Sequence, residues 1–406
     1  MKVLLLNQVF YPDLISTAQH AGDLARELAA EGHEVTVLAS RRAYDDPKVR
    51  FSGKEDWDGV RIVRVSCSGF GKGARWRRAL DFGTYIAACS LRLLLFPPFD
   101  VVVTMTTPPL LSALAAAFVR LRAGRLVVWV MDLNPDEAVA AGWLRGGSAV
   151  TRLLEMLLRS SLRGADRIAV LDRFMLERLV RKGAAERKLK VIPPWAHDKV
   201  VRYDHEGRKA FRERYGLGAK YVVMYSGNHS PCHPLDTLLR AAVRLAEETH
   251  IAFCFVGGGS EFQKVKGFAQ AKELGNIVCV PYQPLRNLSA SLSAADLHVV
   301  VMGDPFVGIV HPCKIYNILT LGIPFLYIGP SRSHVVDLLP PDAVGTWAYL
   351  AGHGDVDSVV EQILAASRKG GGARSREEAQ VGERFTQEEL IPRMAGLVIG
   401  TEPVIQ

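Results

Sequence analysis

The residues best placed for chemistry on an anion lie in GDPFVGIVHPCKIYNILTLGIP. Pro312 can start a helix, Lys314 to Thr320 form its body, and Gly322 followed by Pro324 stops it. Gly308 and Ile309 just ahead can aim backbone amides, and Lys314 a cation, at one anion position. The bland alternative is a lysine that merely snorkels from a short apolar helix. A second candidate is YSGNHSPCHPLDTLL, where Gly227 lets the backbone turn and His229 and His233 precede a helix. That order suits a phosphate or nucleotide contact. A structural role is the next reading and a metal the last, because Pro231 and Pro234 break the helical spacing that would bring the two imidazoles together.

Two further loops follow apolar runs. WVMDLNPDEAVAAG places Asp132, Asp136 and Glu137 ahead of a helix; Asp136 and Glu137 suit its positive end, and Asp132, in the loop itself, is left as an acceptor-side group. FVGGGSEF supplies Gly257 and Gly258, which serve a tight turn as readily as a ligand. Asn228, Tyr282 and His311 join the donor-side candidates, and Ser16 and Thr17 the acceptor side.

The elements that must hold these loops repeat one plan twice. Lys2 to Leu6, a helix over 18–30 and the run Glu34 to Leu38 open a parallel α/β sheet. Strands follow at Val60 to Val65, Val101 to Thr104, Leu126 to Val130, Ile168 to Leu171 and Leu189 to Ile192. A second cycle starts at Tyr221 to Ser226 and continues through a helix over 235–248 and runs at Ile251 to Val256, Ile277 to Val280, Leu297 to Val301 and Phe325 to Ile328. The fold class is therefore α/β, with two Rossmann-like doubly wound parallel sheets facing a cleft. Domain bounds are 1–200, joined by a C-terminal helical segment 384–406, and 201–383; ligands belong beyond the carboxyl ends of the strands.

At 406 residues the chain suits two cores. Its 50 Lys and Arg against 42 Asp and Glu give +8, a balance that favours anionic partners. No basic stripe interleaved with stacking aromatics recurs, which argues against nucleic acid. The six cysteines are scattered without zinc spacing and read as reduced thiols of a cytoplasmic protein. The N-terminal apolar run reads as a buried strand, not a signal peptide. The longest apolar run, Tyr85 to Phe99, is interrupted by Arg92, Pro97 and Pro98 and falls short of a spanning helix. Lys72, Arg75, Trp76, Arg77 and Arg78 ahead of Leu80 to Phe96 give a basic-then-apolar order that suits peripheral contact with anionic lipid on the inner face of the cytoplasmic membrane; a buried domain helix is the alternative.

Taken together, Tyr11-Pro12, the segment Glu31 to Val35, the YSGN and VGGG turns and HPCKIYNILTLGIP resemble the family 4 glycosyltransferases, in the branch that builds bacterial surface polysaccharides. The resemblance runs in order from Met1 to about Leu339. It implies the GT-B fold and transfer from a nucleotide-diphosphate sugar, with retention and without metal or other cofactor, onto a lipid-linked or saccharide acceptor. It implies that Lys314 contacts donor phosphate, and it aligns Asp132 to Asp136 with an acceptor-side motif in which Asn134 replaces a Trp. Asn317 falls where many members carry a ribose-binding Glu, while Asn228 and His233 stand where an Arg and a Lys usually grip the diphosphate. His229, His233 and Lys314 are then expected to carry the missing charge, and Asp304 offers a carboxylate. These departures keep two rivals in view: a catalytically silent GT-B protein that binds a nucleotide sugar, and a nucleotide-sugar epimerase.

Overall fold

The structure, a computed structural model, describes residues 1–401 except 14, 45, 47, 72–74 and 371–375. Lys72 and most of the glycine-rich 370–375 stretch, and 402–406 of the C-terminal segment, therefore lie outside the described residues. The chain divides into two units. The first comprises Met1–Pro194, Gly308–His311 and Glu388–Gln406, the second Trp195–Val307 and Pro312–Gln387. The second unit thus begins at Trp195, and the short stretch Gly308–His311 belongs to the first.

The first unit is built on eight strands: β1 (Lys2–Leu6), β2 (Glu34–Ser40), β3 (Lys54–Trp57), β4 (Val60–Val65), β5 (Val101–Met105), β6 (Arg125–Trp129), β7 (Arg167–Val170) and β8 (Leu189–Val191). They lie in the order β3-β4-β2-β1-β5-β6-β7-β8. All pairs are parallel except β3 with β4. Central strands read as continuous apolar runs because both faces are covered: every residue of β5 is buried, as are Val3 to Leu6 of β1. The direction of winding reverses between β1 and β5, which opens a crevice at their carboxyl ends.

The second unit has six strands: β9 (Tyr221–Asn228), β10 (Ile251–Gly258), β11 (Ile277–Val280), β12 (Leu297–Val301), β13 (Phe325–Ile328) and β14 (Ala348–Ala351). Their order β11-β10-β9-β12-β13-β14 is wholly parallel and reverses between β9 and β12. Apolar cores fill both faces of this sheet, one around Phe253, Phe255 and Leu326, the other around Met224, Cys254 and Leu321.

β9 and β10 both run past the expected ends. Their register continues through Gly227 opposite Gly257 and Asn228 opposite Gly258. The pairing is possible because Gly257 sits at φ +136 and a Cβ there would fall 2.0 Å from the Gly227 carbonyl oxygen. The consecutive glycines are thereby explained by close backbone approach.

Residues 205–214 form a helix docked through one carboxylate. Asp296 accepts hydrogen bonds from Arg208, Arg212 and the Val222 amide, so it ties this helix to the start of β9. The C-terminal helix Gln387–Ile399 belongs, from Glu388, to the first unit, where Arg125 donates to the Ile399 carbonyl at 2.9 Å.

The basic-then-apolar stretch is one helix, Arg75–Leu94. At 3.6 residues per turn, Arg78, Tyr85, Cys89 and Leu93 share a face; Tyr85, Cys89 and Leu93 are buried against the sheet. Trp76, Leu80, Leu91 and Leu94 fall on the opposite face and are exposed, Leu91 by 68%. The expected membrane cluster is corrected at one residue: Arg78 turns inward and donates to the Tyr44 hydroxyl at 3.1 Å. No helix among the described residues is long and apolar enough to cross a membrane.

Candidate functional site

In the second unit, the crevice at the β9/β12 reversal is where sequence candidates converge. Helix Lys314–Leu321 starts there, and the Lys314 side chain reaches back over β9. Its Nζ lies 3.5 Å from the centre of the Tyr225 ring and beside Gly227, where a Cβ would come within 3.2 Å of it. The positive φ of Gly227 and the lack of a side chain there leave room for the amine. Although Lys314 as a whole is only partly buried, Nζ itself is shielded and has no hydrogen-bond partner among the described residues. Burial brings its pKa down from 10.5 to about 7. A shielded ammonium over an aromatic face, with unspent donors, is built to meet an anion.

The histidines do not supply the charge expected of them. His229 is fully buried, its ring edge-on to Tyr225 and Phe262 with centroids at 4.8 and 4.9 Å. Its Nδ1 lies 3.0 Å from the Gly227 carbonyl. His233 is buried with Nδ1 2.7 Å from the Val301 carbonyl. Burial first, and the Lys314 charge second, lower His229 to about 4 and His233 to about 3. Both rings are therefore neutral near pH 7 and hold the ends of β9 and β12 in place. With Nδ1–H donating to carbonyl oxygen, Nε2 of each is left as an acceptor, the wrong polarity for a phosphate oxygen.

The remaining donor-side candidates have distinct surroundings. Gly258 packs under Tyr282, whose ring would be 2.9 Å from a Cβ at that position; Tyr282 is 54% exposed and offers a flat stacking surface. Asn228, at the exposed end of β9, accepts from the Tyr225 hydroxyl through its carbonyl at 2.8 Å. Asn317 has a structural partner, its Oδ1 accepting from the His197 amide at 2.9 Å. Asp304 is exposed at the end of β12.

Gly308, Ile309 and His311 are placed with the first unit. The Ile309 carbonyl accepts from Leu133 at 2.9 Å, and His311 Nδ1 lies 2.8 Å from Asp172 Oδ2. Asp172 also caps the helix Arg173–Arg181 through the Met175 amide, a junction that no sequence signal singled out.

The acceptor-side candidates lie at the β1/β5 reversal. The Gln8 amide bonds the Thr107 carbonyl at 2.9 Å, and Thr106 Oγ1 accepts from the amides of Met131 and Asp132 at 3.1 and 3.2 Å. Asp132 is held at the crevice in this way. Its carboxyl is raised far above the usual carboxylate range, mainly by burial and then by the neighbouring Glu137; Arg78 opposes the shift. Glu137 is raised for the same first reason and accepts from Asn134 Nδ2 at 3.0 Å. A carboxyl pair raised in this way holds a proton more readily than an ordinary carboxylate does, and it can give a hydrogen bond to a hydroxyl or accept one from it. Asp136 is directed elsewhere, its carboxylate 2.8 Å from Lys182, so the expected acceptor role is corrected to a structural ion pair. Ser16 and Thr17 begin the helix Ser16–Ala30; the Ser16 carbonyl lies 2.7 Å and its Oγ 3.2 Å from His20 Nδ1.

Tyr225 and Tyr44 are not singled out in the sequence reading, and Arg78 enters it only with the basic run ahead of Leu80. Tyr225 could have been found as the strand residue two before Gly227, and Arg78 by its helical spacing from Tyr85.

Residues 17–195 match the glycosyl transferase 4-like domain. The chain is 28% identical over 348 residues to the putative colanic acid biosynthesis glycosyl transferase WcaI of Escherichia coli, covering 79% of this chain and 82% of that one. Its fold superimposes on sucrose-phosphate synthase of Thermosynechococcus elongatus with a TM-score of 0.76 at 15% identity, over 98% of both chains. It also superimposes on HepE of Anabaena, solved with UDP and glucose, with a TM-score of 0.71 at 14% identity over 98% of this chain and 100% of that one. The chain is a glycosyltransferase of the GT-B fold whose first unit carries the glycosyl transferase 4-like domain.

Proposed function

We propose that this glycosyltransferase moves a sugar, with retention, from a nucleotide diphosphate to a lipid-linked or saccharide acceptor in surface polysaccharide synthesis, on the inner face of the cytoplasmic membrane. The observation that carries the donor assignment is the shielded, unpartnered Nζ of Lys314 over Tyr225 at the β9/β12 reversal. HepE, of the same fold, binds UDP, and the Escherichia coli relative is named for colanic acid synthesis, which supports the same reading.

As the sugar–phosphate bond breaks, negative charge grows on the departing diphosphate. Lys314 opposes that charge, and Tyr282 offers its face to the base. The departing phosphate takes the acceptor proton on the same face of the sugar, which gives retention without a strong protein base. Asp132, paired with Glu137, orients the acceptor hydroxyl. A thermal-shift screen against nucleotide sugars identifies the donor, since a ligand at 100 times its Kd stabilises by about 2.7 kcal/mol. No shift with any of them would sink the donor assignment.

The two neutral histidines favour one alternative, a silent nucleotide-sugar-binding protein. Release of nucleoside diphosphate from the donor found by the screen separates the two readings.

Activity is expected to persist in EDTA, because among the described residues no third His, Cys, Asp or Glu ligand atom joins His229 and His233. Loss of turnover with recovery on adding Mn²⁺, Mg²⁺ or Zn²⁺ would overturn this.

Membrane contact is assigned to the outward face of the helix Arg75–Leu94. Trp76, Leu80, Leu91 and Leu94 form one stripe, continued by Leu95 at 76% exposure, with Arg77 packed over Trp76 at 5.4 Å. Co-sedimentation with vesicles containing anionic lipid is expected at low salt and is expected to be lost in a Trp76→Ser, Leu80→Ser, Leu91→Ser variant. Equal binding by that variant would refute the assignment.

A further inference from the structure

The first unit has a small pocket of about 50 Å³ lined by Gln8, Ser40, Arg42, Tyr44, Ser68 and Arg78, among others. It opens at the carboxyl ends of β1, β2 and β4, next to the winding reversal where doubly wound sheets take ligands. Its wall is rich in hydrogen-bond donors. Asp81, the one carboxylate among its described lining residues, is committed to the loop above it, accepting from the Ser68 hydroxyl at 2.6 Å and from the Phe70 and Gly71 amides at 3.0 Å each.

Arg78 is the unusual member. It is half-buried, packs over Phe82 at 5.3 Å and donates to the Tyr44 hydroxyl, yet no carboxylate among the described residues lies within ion-pair distance of it. Its guanidinium is nonetheless close enough to the Asp132–Glu137 pair to lower both. Arg42 adds a second cation to the wall, fixed by Nε donating to the Cys67 carbonyl at 2.9 Å. The Gln8 carboxamide oxygen, buried at the same wall without a hydrogen-bond partner, is an acceptor open to a hydroxyl of the same ligand and not to its anionic group. Two guanidinium groups and a phenol, around a pocket whose one acid among the described lining residues is already satisfied, make a receptor for an anion.

We propose that Arg78, with Tyr44 and Arg42, binds an anionic group of the acceptor, a phosphate or carboxylate, and thereby sets the acceptor hydroxyl at Asp132. The proposal rests on the glycosyltransferase reading and adds a specificity determinant to it: acceptors carrying that group are selected over neutral ones. A phosphate of a lipid-linked acceptor and the carboxylate of an acidic sugar share the required chemistry.

The full chain carrying Lys314→Ala, which weakens the second unit's own anion site, is titrated calorimetrically with methyl phosphate and with acetate. Adding Arg78→Gln is expected to weaken binding of one of them about tenfold or more, as loss of a charge-assisted pair does. Arg78→Lys should recover part of the loss, and Tyr44→Phe should give a smaller one. Whichever anion responds identifies the source. In acceptor assays of Arg78→Gln, KM should rise for the matching anionic acceptor with kcat little changed, and stay level for a neutral saccharide. Titrations unaltered by Arg78→Gln and Tyr44→Phe in folded protein would overturn the proposal, as would equal KM changes for anionic and neutral acceptors. Nucleotide-sugar binding by the unmodified protein, measured alongside, tests the glycosyltransferase reading separately.

Discussion

Lys314→Ala is expected to lower turnover about 10²- to 10³-fold, equivalent to roughly 2.7–4 kcal/mol, with a smaller loss of donor affinity. The reason lies in when the charge is needed. A diphosphate in the bound donor already carries charge, but its bridging oxygen gains more as the sugar leaves, and Lys314 is the cation that the second unit holds over β9 at that crevice. His229 and His233 cannot substitute, since burial keeps both neutral until the pH falls to about 4 and about 3. Lys314→Arg should restore part of the rate, limited by the wider guanidinium in the space that Gly227 leaves. Near-normal turnover with weakened binding alone would show that the lysine binds without catalysing.

The same amine gives a pH dependence whose sign is fixed. Free Lys314 titrates at about 7, whereas an anion beside it favours the ammonium, so donor binding takes up a proton above that pH. Donor affinity should therefore be level below about pH 7 and fall up to about tenfold per pH unit above it. Without donor, the unfolded chain binds the proton more readily than the folded one between about 7 and the ordinary 10.5, so this group makes stability rise with pH across that window. Lys314→Met should remove the penalty, stabilising the unliganded protein by about 1–3 kcal/mol while lowering donor turnover about as far as Lys314→Ala does.

Asp296→Ala is expected to cost about 3–5 kcal/mol of unfolding free energy, because it leaves the Arg208 and Arg212 guanidinium groups at a poorly solvated site without their shared counter-charge. It also leaves the Val222 amide at the start of β9 without its acceptor. Urea denaturation followed by circular dichroism measures this; a change below about 1 kcal/mol would show that the pair of arginines finds water instead. Since β9 carries Tyr225 and Gly227, loss of the anchor should lower donor affinity as well.

Most of this fold is legible because buried parallel strands must be apolar throughout, and runs such as Val101–Met105 and Ile251–Val256 announce themselves. β3, with the sequence KEDW, does not. It is an edge strand with alternating exposed and half-buried residues, paired antiparallel with β4 and packed through Trp57 on Tyr11. β14, AYLA, is too short to carry a period. Residue type identified the lysine and the carboxylates, but their roles depend on what surrounds them. Two histidines in a polar, proline-rich loop look available for a ligand, yet the paired ends of β9 and β10 enclose His229 among aromatic rings. Asp136 and Asp132 are four residues apart on one motif, and only the position of Lys182 decides which is spent on an ion pair. Arg78 reads as one of a basic run until helical geometry separates it from Trp76 and Arg77, turning one basic side chain inward while its neighbours face solvent.

The account stands or falls on Lys314 acting against charge that develops on a leaving diphosphate. Steady-state release of nucleoside diphosphate from the donor identified by thermal shift, compared between the unmodified protein and Lys314→Ala, measures this directly. The expected result is turnover in the unmodified protein that falls about 10²- to 10³-fold in the variant, at saturating donor and with unchanged circular dichroism. A folded variant that turns over the donor as fast as the unmodified protein would contradict it.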